Sequence, residues 1–127
     1  MLFQKVSDNT LMNTRTRELH SYDKVFGEEV STQEIFDSQI AQLVDGCLRG
    51  INQTVFAYGQ TSSGKTYTMR GYPSSKDEGL ITLTVKSLFR KMEELKSATY
   101  KVTVSYLEVS SFEMPNRGRF TTNALMT

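Results

Sequence analysis

The run Gly59-Gln60-Thr61-Ser62-Ser63-Gly64-Lys65-Thr66 constrains the fold of this chain more than any other feature. It fits the phosphate-binding loop pattern G-x-x-x-x-G-K-[ST] at every fixed position. The two glycines let the backbone curl around an anion with no side chain in the way. Successive N–H groups then point into one concavity. Lys65 can reach terminal phosphates, and the Thr66 hydroxyl can join a Mg²⁺ shell. A helix that starts directly after the loop aims its positive end at the same place. Such a loop needs a buried strand before it and a helix behind it. Thr54-Val55-Phe56-Ala57-Tyr58 is apolar, β-branched and aromatic, and reads as a strand covered on both faces. Lys65 to Met69 contains neither Pro nor Gly and reads as the helix. The competing reading is a Gly/Ser-rich surface turn with a chance lysine, and both flanks argue against it.

The rest of the chain alternates in the same way. Leu2, Phe3 and Val6 suggest a short opening strand, Asp8-Asn9 a turn, and Tyr22 to Phe26 a second short segment ended by Gly27. Ser31-Thr32-Gln33-Glu34 is a capping box that starts a helix. Its apolar positions Phe36, Ile40, Leu43, Val44, Cys47 and Leu48 fall on one face, and Gly50 is a natural stop. Gly71 to Gly79 reads as a polar loop. A second amphipathic helix then carries Ile81, Val85, Leu88, Phe89, Met92 and Leu95 on one side and ends near Lys96-Ser97. Tyr100 to Val109 alternates as a strand. Pro115, Asn116 and Gly118 break the pattern beyond it. The order of strands and helices is that of an α/β protein.

Charge narrows the function classes. Fifteen Lys and Arg face fourteen Asp and Glu, for a net charge of +1, and no segment is strongly basic. No nucleic-acid partner is expected. No apolar stretch approaches the ~20 residues that cross a bilayer, and Met1 to Asn9 lacks a signal-peptide core, so no membrane partner and a cytoplasmic location are expected. Cys47, the single cysteine, falls on the apolar side of its helix and is expected to be buried. His20 lies in a polar segment without an evident partner for acid–base work, and Glu108 reads as a residue at a strand end.

From Tyr22 to about Glu108 the chain resembles the kinesin motor family. Tyr22-Asp23-Lys24-Val25-Phe26 is similar to that family's Phe-Asp-x-Val-Phe segment, and Thr32-Gln33-Glu34-Ile35-Phe36 to the start of its first helix. Asn52 through Met69, with its Phe-Ala-Tyr-Gly-Gln-Thr lead and Tyr-Thr-Met exit, is nearly a family signature. Myosins and small GTPases share the phosphate loop without those flanks. Val104-Ser105-Tyr106-Leu107-Glu108-Val109 is similar to the strand that follows. The composition suggests a relative of the CENP-E-like subgroup. The resemblance implies an α/β fold of the P-loop NTPase type, an incomplete kinesin motor-like sheet with flanking helices. It implies ATP and Mg²⁺ as ligands, microtubules as the partner of the parent family, and a cytoskeletal location. Gly59, Gln60, Thr61, Ser62, Ser63, Gly64, Lys65 and Thr66 would hold the phosphates, and Thr66 would touch Mg²⁺. Tyr58 and Tyr67 would lie near the base, and the 71–79 loop would interrupt the helix beside the nucleotide. Residues 1–109 form the partial motor domain in this reading, and residues 110–127 a divergent, irregular tail.

The departures concern chemistry and folding. Kinesins open with a strand ending in Arg-x-Arg-Pro, whereas Arg15-Thr16-Arg17 is followed here by Glu18. Neither Asn-x-x-Ser-Ser-Arg-Ser-His (switch I) nor Asp-x-x-Gly-Ser-Glu (switch II) occurs in these residues, and after Glu108 the chain runs Val109-Ser110-Ser111-Phe112. Hydrolysis needs groups that position water and sense the terminal phosphate, and the switches supply them in kinesins. No catalytic residue is therefore assigned. A non-catalytic, nucleotide-binding regulatory form stands as the alternative to an ATPase. A small nucleotide kinase is disfavoured, because no Arg cluster or acidic partner strand follows the loop. A central strand without neighbours would also leave buried backbone groups unpaired, at ~1–3 kcal/mol each, against a total domain stability of ~5–15 kcal/mol. Marginal stability of residues 1–127 is the expectation.

Overall fold

The computed structural model describes residues 2–72, 77–95, 99–107 and 122–124. The chain divides into two units, Met1–Glu94 and Leu95–Thr127.

The first unit opens with an antiparallel meander of β1 (Phe3–Ser7), β2 (Thr10–Asn13) and β3 (Leu19–Ser21). Phe3 pairs with Asn13 and Leu11 with His20, and a bulge lies between Lys5 and Ser7. The Asp8-Asn9 turn is local chemistry: Ser7 Oγ donates to Asn9 Oδ1 at 2.8 Å. Asp8 also pairs with Lys5 at 2.9 Å, and this hydrogen bond and charge hold its carboxyl below the usual carboxylate range. Beyond β3, the Val25 N–H donates to the Asp8 carbonyl at 2.6 Å, and Val25 is buried.

The capping box forms as its sequence requires. The Glu34 N–H donates to Ser31 Oγ at 3.2 Å, and the Ser31 N–H donates to Glu34 Oε2 at 2.8 Å. Helix α1 (Thr32–Ile35) passes through a π turn (Phe36–Ile40) into α2 (Ala41–Leu48). Gly50, at φ 82°, ends the run in a conformation that favours glycine. Phe36, Ile40 and Val44 point to one side in steps of four. They meet Leu80 and Leu83 of α4 (Leu80–Glu94), and these five residues are the buried core. The wide turn shifts the face of α2 relative to a regular helix. As a result Gly46 is buried and Cys47 is exposed, contrary to expectation. An ion pair between Asp45 and Lys91 ties α2 to α4 across the rim of this core.

Two further expectations are corrected. The stretch predicted as a strand, residues 54–58, forms none. Val55 is 39%, Phe56 80% and Tyr58 94% exposed, and among the described residues no backbone partner reaches it. A buried strand without neighbours would strand its amides and carbonyls away from water, and the chain leaves them hydrated instead. The second correction is the buried side of α4. Leu80, Leu83 and Ser87 face the core; of the expected set, Leu88 packs partly buried against it, while Ile81, Val85, Phe89 and Leu95 are about half exposed. Helix α4 carries apolar residues on two faces, and only one finds a partner within this unit. Its expected end at Lys96-Ser97 lies outside the described residues.

In the second unit β4 (Val104–Tyr106) pairs antiparallel with β5 (Thr122–Ala124). The strand expected over 100–109 is shorter than read, and its last residues, 108–109, lie outside the described residues. Most of the 110–127 tail does too, and Thr122–Ala124 is regular strand where an irregular tail was expected. The sheets among the described residues are antiparallel.

Candidate functional site: the glycine-flanked loop and its cleft

The loop keeps its shape through backbone conformations that few residues adopt. Gly64 caps α3 (Lys65–Arg70) at φ 90°, with nothing within 4 Å of where a Cβ would stand. Ser62 also has positive φ, 65°. Gly59 sits at φ 157°, and a Cβ there would come within 2.6 Å of Ser63 Oγ. The Ser63 N–H donates to the Gln60 carbonyl at 3.2 Å and closes the bend. Lys65 reaches back over it: its Nζ donates to the Gly59 carbonyl at 2.8 Å and to the Gln60 carbonyl at 2.6 Å. The ammonium is thus already held at the loop's mouth. Thr66 follows on the first turn of α3 and is exposed.

Ser62, Ser63, Gly64, Lys65, Thr66 and Tyr67 line one cleft of about 350 Å³, together with Tyr72. Tyr67 is fixed by a hydrogen bond from its hydroxyl to Asp77 Oδ2 at 2.9 Å. The Tyr67 and Tyr72 rings lie 5.9 Å apart at 41°. Gly71 and Gly79 make this neighbourhood possible. Gly71 ends α3 at φ 71° and bridges to Glu78. A Cβ on Gly79 would come within 2.3 Å of the Arg70 carbonyl carbon and 2.4 Å of the Gly71 nitrogen. The two ends of the 71–79 loop therefore pass backbone on backbone, which only glycine allows. Helix α3 stops there and α4 starts just beyond, so the expected interruption of the helix is present.

The structure brings together the loop residues from Ser62 to Tyr67. Gly59 and Gln60 take part through their carbonyls, and Thr61 is exposed in the same bend. Tyr58 stands in solvent and does not border the cleft. Tyr72 was missed by sequence reasoning, since it lay in a segment read as polar loop. The signal was an aromatic residue directly after the helix-ending Gly71. Among the described residues no group of three or more His, Cys, Asp or Glu could hold a metal ion, and no helix is long and apolar enough to cross a membrane. His20 makes an edge contact with Phe3, with ring centroids 6.0 Å apart.

The kinesin motor domain family model matches residues 2–113. The chain belongs to the kinesin motor domain family. The kinesin-like protein KIN-7I of Oryza sativa subsp. japonica is 41% identical over 111 residues, covering 87% of this chain and 9% of that protein. The mitochondrial kinesin-like protein KIN-7C of Arabidopsis thaliana is 42% identical over 103 residues, covering 80% of this chain and 11% of that protein. A solved structure of a fast kinesin superposes with a TM-score of 0.67 at 34% identity, covering 76% of this chain and 28% of that one. The chain thus spans about a tenth of the length of these curated relatives. Their KIN-7 names give the CENP-E-like suggestion no support. The superposition establishes part of the kinesin fold, although residues 54–58 form no strand. Organellar names among the relatives, mitochondrial here and chloroplastic in rice KIN-7E, leave the compartment open.

Proposed function

We propose that these residues are the nucleotide-holding part of a kinesin-like microtubule motor, and that Gly59 to Thr66 bind the phosphates of MgATP. The observation that carries the reading is Lys65 poised over the bend with its ammonium on two loop carbonyls. A phosphate oxygen is a stronger acceptor for an ammonium than a carbonyl, so an arriving polyphosphate would draw Nζ off Gly59 and Gln60. The exposed N–H groups of the bend would then turn to the anion. The Thr66 hydroxyl suits a Mg²⁺ shell, and the exposed position of Thr66 leaves room for one. Bound Mg²⁺ would neutralise charge between the outer phosphates. The family resemblance assigns Tyr58 and Tyr67 to the base side. Microtubule binding and a cytoplasmic, cytoskeletal location are proposed for the parent protein on the same ground.

Turnover is not proposed for these residues, because neither switch sequence occurs in them. Titration of the full chain with a fluorescent ATP analogue in the presence of Mg²⁺ tests the reading. Lys65→Ala is expected to weaken binding about tenfold or more, as loss of a charged hydrogen bond does. Equal affinity of the two proteins would remove the proposal.

A further inference from the structure

We propose that Tyr72 is a specificity-determining residue, whose ring, braced by Tyr67, forms the wall against which the nucleobase lies. The inference rests on the phosphate reading of the loop and adds the residue that faces the other half of the ligand. Three observations support it. Tyr72 borders the same cleft as Ser62 to Thr66, although five residues separate it from Thr66 in sequence. Its ring is held in place: Gly71 turns the chain back at φ 71° and bridges to Glu78, and Tyr67, itself fixed to Asp77, stands 5.9 Å away. Tyr72 is nevertheless 58% exposed, so an aromatic surface remains open to a ligand. At 5.9 Å and 41° the two rings are too close and too tilted for a base to slide between them. The base must lie against the wall they make.

A cradle for phosphates beside an open aromatic surface matches a ligand with a polyphosphate at one end and a flat heteroaromatic ring at the other. That ligand is a nucleoside di- or triphosphate, in preference to an inorganic polyphosphate or a sugar phosphate. A base stacked on an aromatic side chain loses roughly 5- to 150-fold in affinity when the side chain becomes alanine.

Calorimetric titration of the full chain with MgADP and with magnesium tripolyphosphate separates the two halves of the ligand. In the unmodified chain MgADP should bind more tightly than its phosphates alone would. Tyr72→Ala should weaken MgADP by at least fivefold and leave tripolyphosphate unchanged. Tyr72→Phe should keep the affinity for both. Unchanged MgADP binding in Tyr72→Ala would overturn the role of Tyr72 and leave the phosphate reading standing. An equal loss for both ligands would overturn it as well, since a wall for the base cannot act on tripolyphosphate. Failure of the unmodified chain to bind either ligand would overturn the phosphate reading, and this inference with it.

Discussion

The helical layer and the stretch leading into the phosphate loop are both apolar in sequence, yet they meet opposite fates. Phe36, Ile40 and Val44 are buried against Leu80 and Leu83. Val55 and Phe56, eleven and twelve positions beyond Val44, stand in water. The difference lies in what each kind of element needs. A helix satisfies its own backbone and requires only an apolar partner for one face. A strand requires neighbours for its amides and carbonyls before burial becomes favourable. Here α1 and α2 find α4, whereas residues 54–58 find no strand. Helix α4 repeats the lesson within one element. Its Leu80–Leu83–Ser87 face is packed, and its Ile81–Val85–Phe89 face waits in solvent.

The sharpest way to break this comparison is a pair of truncations. Phe36→Ala should cost about 3–5 kcal/mol, as loss of a buried aromatic does, whereas Phe56→Ala at an exposed site should change stability by less than about 0.5 kcal/mol. Urea unfolding followed by circular dichroism would measure both. A large effect at Phe56 would mean that the stretch is packed in solution after all.

Gly79→Ala comes next. The added methyl would meet the backbone of Met69, Arg70 and Gly71 at 2.3–2.5 Å. Neither side can yield as a flexible side chain could, so a loss of about 1–3 kcal/mol is expected. Amide exchange should rise at both Gly71 and Glu78, and unchanged exchange there would show that the 71–79 crossing is not close.

The smallest effect has the opposite sign. Ser87 is 5% exposed, and among the described residues its Oγ has no hydrogen-bond partner. Ser87→Ala removes a buried, unsatisfied hydroxyl and improves helix propensity. It should stabilise the helical layer by about 1 kcal/mol and raise the thermal midpoint. A lower midpoint would mean that the hydroxyl is bonded in solution.

Legibility in the sequence followed the range of the interactions. The Ser31–Glu34 capping box, the stop at Gly50, the Asp8-Asn9 turn and the interruption at Gly71–Gly79 were all readable, since each is settled within a few residues. The phosphate-loop string was equally plain. The exposure of Cys47 was not readable, because a single π turn displaced the face on which it sits. Nor was the choice of face on α4, where two apolar stripes compete and periodicity ranks neither. Tyr72 escaped notice because its importance lies in what it faces across the cleft.

By itself the amino-acid order determined the family, the caps and breaks of the helices, and the glycine positions that let a loop bend and a backbone cross. Those are matters of local sterics and nearby hydrogen bonds. Only the tertiary structure decided which apolar faces are covered, that Lys65 rests on the carbonyls of Gly59 and Gln60, and that an aromatic pair walls the cleft beside them. These depend on which distant segments are present to supply a partner, and a pattern of residues along one strand or helix carries no record of that.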